Sequence, residues 1–443
     1  MRFPIKKVFL FILGISLARG AILAYGGSIL TLEQAVSEAI ANNALVRYAM
    51  EREKAAVETK KSATADFFPK LSASYSYERL KEEPYAIFEN PLVPGTKYKV
   101  PVRDLNDFSW NISLIQPVFT GFALITKRQL AELNIDLRGI ERQQAVLDVA
   151  KEAKIAYFRV LLAKRYVEIA KEEVDQLRLH LRDAKQFYDQ GIIPRNDLLK
   201  SEVALAQAEQ NLVKAKSNLK VAIANLNVVL ERDIGEQTEL EDVSSFKPKR
   251  YNLSELYREA LGQRPELKGL EIAIRGAELR ARLAKSNYYP KVYIIARYDQ
   301  EGKDPGATEN DFENSHNAVI GFQAEWILFE WGKRLSEVRQ AYYEKLALEH
   351  RLKTIKDSIK LEVKDAFEKL RVATRNITTA VTALKQAKEN FRITNLQYQQ
   401  NVTTSTEVLD ARTFLTQAEV SYFDALYGYM VAEAELVRAI GKK

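Results

Sequence analysis

The chain has 443 residues, 28% of them charged, with a formal net charge of +7 and no cysteine. Without thiols it has neither disulfides nor thiolate chemistry. Its histidines, His180, His316 and His350, form no spaced ligand set, and no Walker or GxGxxG loop occurs, so neither a metal, a cofactor nor enzymatic activity is expected.

Arg2, Lys6 and Lys7 precede an apolar run from Val8 to Ala18, and small residues follow at Gly20, Ala21, Ala24, Gly26 and Gly27. This is the pattern of a secretory signal peptide, too short to cross a bilayer as a helix. Residues 1–26 are assigned to it, with cleavage between Ala21 and Ser28. Arg2, Lys6, Lys7 and Arg19 leave with such a leader and take the +7 down to +3. The remaining charges are mixed along the helices, so nucleic acid is not expected as a partner.

Thr31-Leu32-Glu33-Gln34 reads as a capping box that opens a helix to about Ala65. Strict alternation follows. Leu71, Ala73, Tyr75 and Tyr77 are apolar between Ser72, Ser74, Ser76 and Glu78, and Phe108, Trp110, Ile112 and Leu114 alternate with Ser109, Asn111 and Ser113. Such a period of two gives strands with one apolar and one wet face. Each run is about the ~10 residues that a tilted strand needs to cross a bilayer. The stretch 79–106 between them, rich in Pro, Gly and charge, is expected to be a loop.

A helix without proline is then expected from about Phe122 to Tyr188, reversing at Gln190 to Asn196 and returning over 197–230. Sixty-seven residues at ~1.5 Å each give roughly 100 Å. The segment 231–252 has no clear periodicity.

From there the pattern repeats. Asn252-Leu253-Ser254-Glu255 opens a helix to about Ser286. Phe67-Phe68-Pro69-Lys70 returns as Tyr288-Tyr289-Pro290-Lys291, 221 positions on, and Gln207-Ala208-Glu209 as Gln417-Ala418-Glu419, 210 positions on. Strands are expected at 292–298 and 318–324, joined by a loop at 300–316. A second long helix runs from about Lys333 to Tyr398, with apolar residues at coiled-coil spacing. It reverses at Gln400 to Ser405 and returns over 405–440. An internal duplication with pseudo-symmetric packing follows. Its halves are 27–230 and 253–443, with 231–252 as the joint.

Phe67, Phe68, Tyr288 and Tyr289 precede the ascending strands, and Phe119, Phe122, Phe329 and Trp331 follow the descending ones. In up-and-down hairpins all eight lie at one level, as aromatic girdles do at a membrane surface. Four such strands cannot close a barrel, and open edges in lipid would leave backbone groups unpaired, so the chain must oligomerise. Two copies give eight strands around a filled interior; three give twelve around an aqueous lumen. A secreted structural coiled-coil protein with a small soluble sheet is the competing reading.

The chain resembles the TolC-like outer membrane efflux proteins. The resemblance rests on the duplicated Pro69-Lys70 and Pro290-Lys291, on Gln116-Pro117-Val118-Phe119-Thr120-Gly121, and on Tyr188-Asp189-Gln190-Gly191 before Asp197-Leu198-Leu199. Tyr398 to Asn401, followed by Glu407-Val408-Leu409-Asp410-Ala411, completes it. It implies a membrane α+β fold: a trimeric twelve-stranded β-barrel, four strands per chain, continued by a periplasmic barrel of α-helical coiled-coil hairpins. It also implies a passive outer membrane exit duct for tripartite efflux or type I secretion, partnered by a periplasmic adaptor and an inner-membrane transporter. Glu407, Asp410, Asp197 and Tyr398 match its periplasmic gate. Thr403 stands where some members carry a basic link residue. The turns Gly191, Ile192, Ile193, Pro194 and Asn401, Val402, Thr403, Thr404, Ser405 match its adaptor-docking tips.

Overall fold

The computed structural model describes residues 29–243 and 248–443. The expected leader lies outside the described residues. Helices dominate, and a single four-stranded antiparallel sheet caps one end of the two long hairpins.

The first helical segment is not one helix but two, α1 (Leu32–Asn42) and α2 (Ala44–Ala65). The capping box at Thr31 forms in both directions. The break is at Asn43, whose backbone is extended (ψ 131°) and whose side-chain oxygen accepts from Leu45 N at 3.0 Å. Asparagine competes for backbone partners in this way and so favours caps over helix interiors. The segment from Asn252 breaks likewise into α5 (Leu253–Gln263) and α6 (Pro265–Lys285). Here Pro265 disfavours the helical conformation at Arg264, which sits at ψ 120°.

Strands β1 (Lys70–Arg79), β4 (Asn106–Phe119), β5 (Lys291–Gly302) and β6 (His316–Glu325) form the sheet in the order β1-β4-β5-β6. The stretch between β1 and β4 is not a simple loop. It holds a hairpin, β2 (Tyr85–Glu89) and β3 (Lys97–Pro101), in which Phe88 faces Tyr98. Its strands are aromatic and β-branched, and the turn contains Gly95 at φ +90°.

The helices α3 (Ala123–Asp189) and α7 (Lys333–Gln399) each have 67 residues; α4 (Arg195–Leu230) and α8 (Ser405–Ala439) return antiparallel. α3 packs on α8 and joins the two hairpins, while α2 lies on α3 and α6 on α7. Strand meets helix through consecutive left-handed residues, Gly121 (φ +61°) with Phe122 (φ +68°), and Trp331 (φ +50°) with Gly332 (φ +84°). A Cβ at Gly121 would overlap the Ser286 carbonyl oxygen.

The apolar core lies midway along the hairpins, where Tyr157, Leu161, Leu226, Leu230, Tyr427 and Leu436 are buried together. The Tyr157 hydroxyl reaches the carbonyls of Leu30 (2.9 Å) and Glu241 (2.6 Å), whose segments meet at the isolated Leu30–Leu240 bridge. Burial pushes that hydroxyl well above the usual phenol range. Arg264, 6% exposed, holds both oxygens of Glu362 at 3.0 and 2.8 Å and the Ala439 carbonyl at 3.1 Å. This ties the α5–α6 break to α7 and to the end of α8.

Among the described residues, no helix is long and apolar enough to cross a membrane.

Candidate functional site

Two regions carry unusual chemistry: the free ends of the helical hairpins and the sheet at the opposite end.

At the hairpin ends both turns use the same backbone device. Ile192 N donates to Phe187 O (2.8 Å) and Gly191 N to Tyr188 O (2.9 Å); Val402 N donates to Gln397 O and Asn401 N to Tyr398 O, both at 2.9 Å. These are Schellman closures, which place a left-handed residue just past the helix; Gly191 (φ +74°) and Asn401 (φ +59°) supply it. Ile192 and Val402 are exposed at the two tips, whereas Ile193 and Thr403 are half-buried. Pro194 precedes α4 in extended conformation. Thr404 caps α8 by accepting from Glu407 N at 3.4 Å. Thr404-Ser405-Thr406-Glu407 has the spacing of a capping box, but the return bond from the Glu407 side chain is not among the bonds of this cap, and Glu407 is exposed.

Glu407 and Asp410 lie one helical turn apart on α8, both exposed, and neither has an ion-pair partner among the described residues. Asp197, in the first turn of α4, pairs with Lys200 at 3.5 Å. Lys200 also donates to the Thr406 hydroxyl at 3.0 Å and so bridges α4 to α8. Tyr398 is buried rather than lining a surface. Its ring sits 4.8 Å from His180 and 5.4 Å from Phe187.

A buried polar cluster, unforeseen in the sequence, lies just behind. His180 Nε2 is 2.8 Å from Ser405 Oγ, and Ser405 Oγ is 3.1 Å from Ser201 Oγ. Burial pushes the His180 imidazole down to about 4, against a weaker upward pull from Asp183.

In the sheet, both faces are open to solvent in the single chain. Leu71, Ile320 and Phe322 on the apolar face are 72%, 82% and 79% exposed. The opposite face is a polar ladder. Ser72 and Ser113 meet at 2.7 Å, as do Ser76 and Ser109; Asn111 Nδ2 donates to Asp299 (2.6 Å), which also accepts from Arg297 Nε (2.6 Å).

Aromatic rings flank the sheet at both ends. On the helix side, Phe119, Phe122 and Tyr289 pack edge to face, and Phe329 packs on Trp331. Phe67 and Phe68 lead into β1, and Tyr288 lies under Arg334 and accepts from the Trp326 indole through its carbonyl (3.1 Å). Trp326, exposed directly after β6, has Gln116 as its counterpart 210 positions earlier, so the aromatic repeat does not mark it. At the far end Tyr75 meets Trp110 (4.7 Å) and Tyr77 meets Phe108 (4.5 Å). The alternation identified these four as one face of a strand pair, but not as a second aromatic band.

The sequence matches the outer membrane efflux protein family over residues 35–230 and again over 256–442. It is 22% identical to the outer membrane protein TolC of Salmonella enteritidis, across 98% of this chain and 86% of TolC. It is 23% identical to the alkaline protease secretion protein AprF of Pseudomonas aeruginosa, across 75% of this chain and 69% of AprF. The fold is similar to that of the CmeC outer membrane channel of Campylobacter jejuni, with a TM-score of 0.77 at 17% identity, covering 93% of this chain and 85% of CmeC.

Proposed function

Because the chain belongs to the outer membrane efflux protein family, it is an outer membrane exit duct for efflux or type I secretion that extends into the periplasm, and we propose that three copies build one such duct. Its relatives are channel proteins, not enzymes.

The observation that carries the trimer is the sheet. β1 and β6 each present an unpaired edge, and the apolar face between them is uncovered. Lipid tolerates such a face but not the edges. Joining β1 of one copy to β6 of the next removes every edge; three copies give twelve strands, wide enough for a wet lumen. The serine ladder and the Asn111–Asp299–Arg297 node then line the lumen, and the two aromatic bands sit at the two membrane surfaces. The helices give matching support. Val203, Val213, Val221 and Val228 form an exposed apolar stripe along α4, and Leu361, Val372 and Ile393 remain exposed on α7. Each stripe would be covered by the neighbouring copy.

In this assembly the segments 27–230 and 253–443 act as duplicated halves around the joint 231–252, behind a cleaved leader 1–26. Glu407 and Asp410 from three chains ring the periplasmic entrance, where fixed carboxylates favour cations and oppose anions. Asp197 holds the entrance through Lys200, and Tyr398 supports it from within the packing. The tips around Ile192 and Val402 dock a periplasmic adaptor, which links the duct to an inner-membrane transporter that supplies the energy.

The test is mass measurement in detergent combined with planar-bilayer recording. A mass of three chains and ion conductance are expected. A water-soluble monomer without conductance would overturn the reading and favour the secreted coiled-coil alternative.

A further inference from the structure

His180 is 5% exposed and sits nine residues before the end of α3. Around it meet all four helices of both hairpins: α3 supplies the imidazole, α4 supplies Ser201, α8 supplies Ser405 and α7 supplies the Tyr398 ring.

The hydrogen bonds have one consistent direction. Ser201 Oγ donates to the Asp197 carbonyl at 3.0 Å. Its hydroxyl proton is thereby used, so at the 3.1 Å contact Ser405 Oγ must donate to Ser201 Oγ. Ser405 has then spent its own proton and accepts from His180 at 2.8 Å. The imidazole is therefore the neutral Nε2–H tautomer. Its Nδ1 is buried without any partner.

Protonation must occur at Nδ1. It would create a buried cation and a new N–H at a nitrogen that no group in the structure bonds, which is costly on both counts. The charged and titratable groups around the site are Asp183 on α3, the Asp197–Lys200 pair on α4 and Tyr398 on α7; on α8, Glu407 and Asp410 are exposed to solvent. None of them bonds Nδ1.

Ser405 is the first residue of α8, the helix whose first turns carry Glu407 and Asp410. Resting on the channel reading above, we propose that the His180–Ser405–Ser201 relay is an acid-released latch. With a neutral imidazole it holds the start of α8, and the entrance carboxylates with it, against the first hairpin; proton uptake at Nδ1 expels His180 and frees that end of the helix.

The sign of the pH effect follows from linkage. An exposed histidine titrates near 6.5, and burial here pushes His180 down to about 4. The closed packing thus binds fewer protons than the released one. Its advantage is complete above about pH 6.5 and is lost progressively as pH falls towards 4.

Planar-bilayer recording of the full assembly between pH 7.5 and 4.5 tests this. The wild type should gain at least about tenfold in open probability on acidification. His180→Gln, which keeps a donor near Nε2 but cannot titrate, should stay closed across that range. Ser405→Ala should be open already at neutral pH and respond weakly to acid. Glu407→Gln with Asp410→Asn should keep the wild-type pH midpoint. The latch is overturned if His180→Gln responds to acid as the wild type does, or if the response vanishes in the carboxylate variant instead. Should His180→Gln fail to assemble, a wild-type profile in Ser405→Ala overturns it equally. Absence of conductance in the wild type at every pH would sink the channel reading itself, a result distinct from a conducting channel without pH response.

Discussion

Lys200 Nζ donates to the Thr406 hydroxyl at 3.0 Å and thereby joins the first helical hairpin to the second at the solvent-exposed tip. The same ammonium pairs with Asp197 at 3.5 Å. Thr403, the position where a basic link residue is expected by resemblance, carries no charge; the basic group comes from the other hairpin. Lys200→Met removes both contacts while keeping the aliphatic stem. For a partly exposed donor the loss is about 0.5–1 kcal/mol. Open probability in bilayers at neutral pH should rise roughly two- to fivefold, and an unchanged value would show that this bridge does not hold the entrance.

The carboxylates of Glu407 and Asp410 lack cationic partners among the described residues, so in the proposed trimer their field would be available to ions at the periplasmic end. Glu407→Ala with Asp410→Ala should raise the divalent-cation concentration needed for half block by roughly tenfold. Identical block curves for wild type and variant would remove these residues from the permeation path.

Valines 213 and 221 lie exposed on one face of α4. If a neighbouring copy covers them, Val213→Asp with Val221→Asp buries two unpaired charges per interface, at a cost of several kcal/mol. Mass measurement in detergent should then show monomers where the wild type shows trimers. A trimer that survives both substitutions would place the interface elsewhere.

Arg264 grips Glu362 with two nitrogens and also bonds Glu266 (2.9 Å) and the Ala439 carbonyl. Arg264→Met retains the volume and loses the fork. Because Glu362 is half exposed and can rehydrate, a loss of about 2–3 kcal/mol is expected. It should be visible as a lower Tm, and Arg264→Lys should recover only part of it because an ammonium cannot reproduce the planar fork.

What the sequence conveys depends on whether a feature is local. Alternation located β1, β4 and β6 because each has one continuous apolar face. β5 was fainter because Tyr293 and Ile295 stand on its polar side, opposite Pro117 and Ile115 of β4. The long helices were legible almost to their last residue, since proline-free apolar periodicity runs to the Schellman turns at Gly191 and Asn401. The break at Asn43 was not, because an asparagine inside a good helical pattern signals only a weak preference. The β2–β3 hairpin was hidden by prolines that also mark loops. The His180 cluster was invisible for a different reason: His180 and Ser405 are 225 positions apart, and nothing near either residue announces the other. The acidic pair at Glu407 and Asp410 could be located only by resemblance, whereas Lys200 needed the three-dimensional bridge to reveal it.

α3 and α7 are equally long, and each is anchored at both extremities, to the sheet above and to the bonded tips below. Deleting one residue from the middle of either would turn everything beyond it by about 100° and shorten the rod by about 1.5 Å. His180 would then miss Ser405, or the strands would lose their pairing. Gene-level insertions and deletions should therefore be confined to the β2–β3 region and the outer loops, while the shafts tolerate exchanges of residue but not of count. The reach of the duct across the periplasm is in this sense an integer fixed twice over, and a homologue of different span must alter both shafts in step.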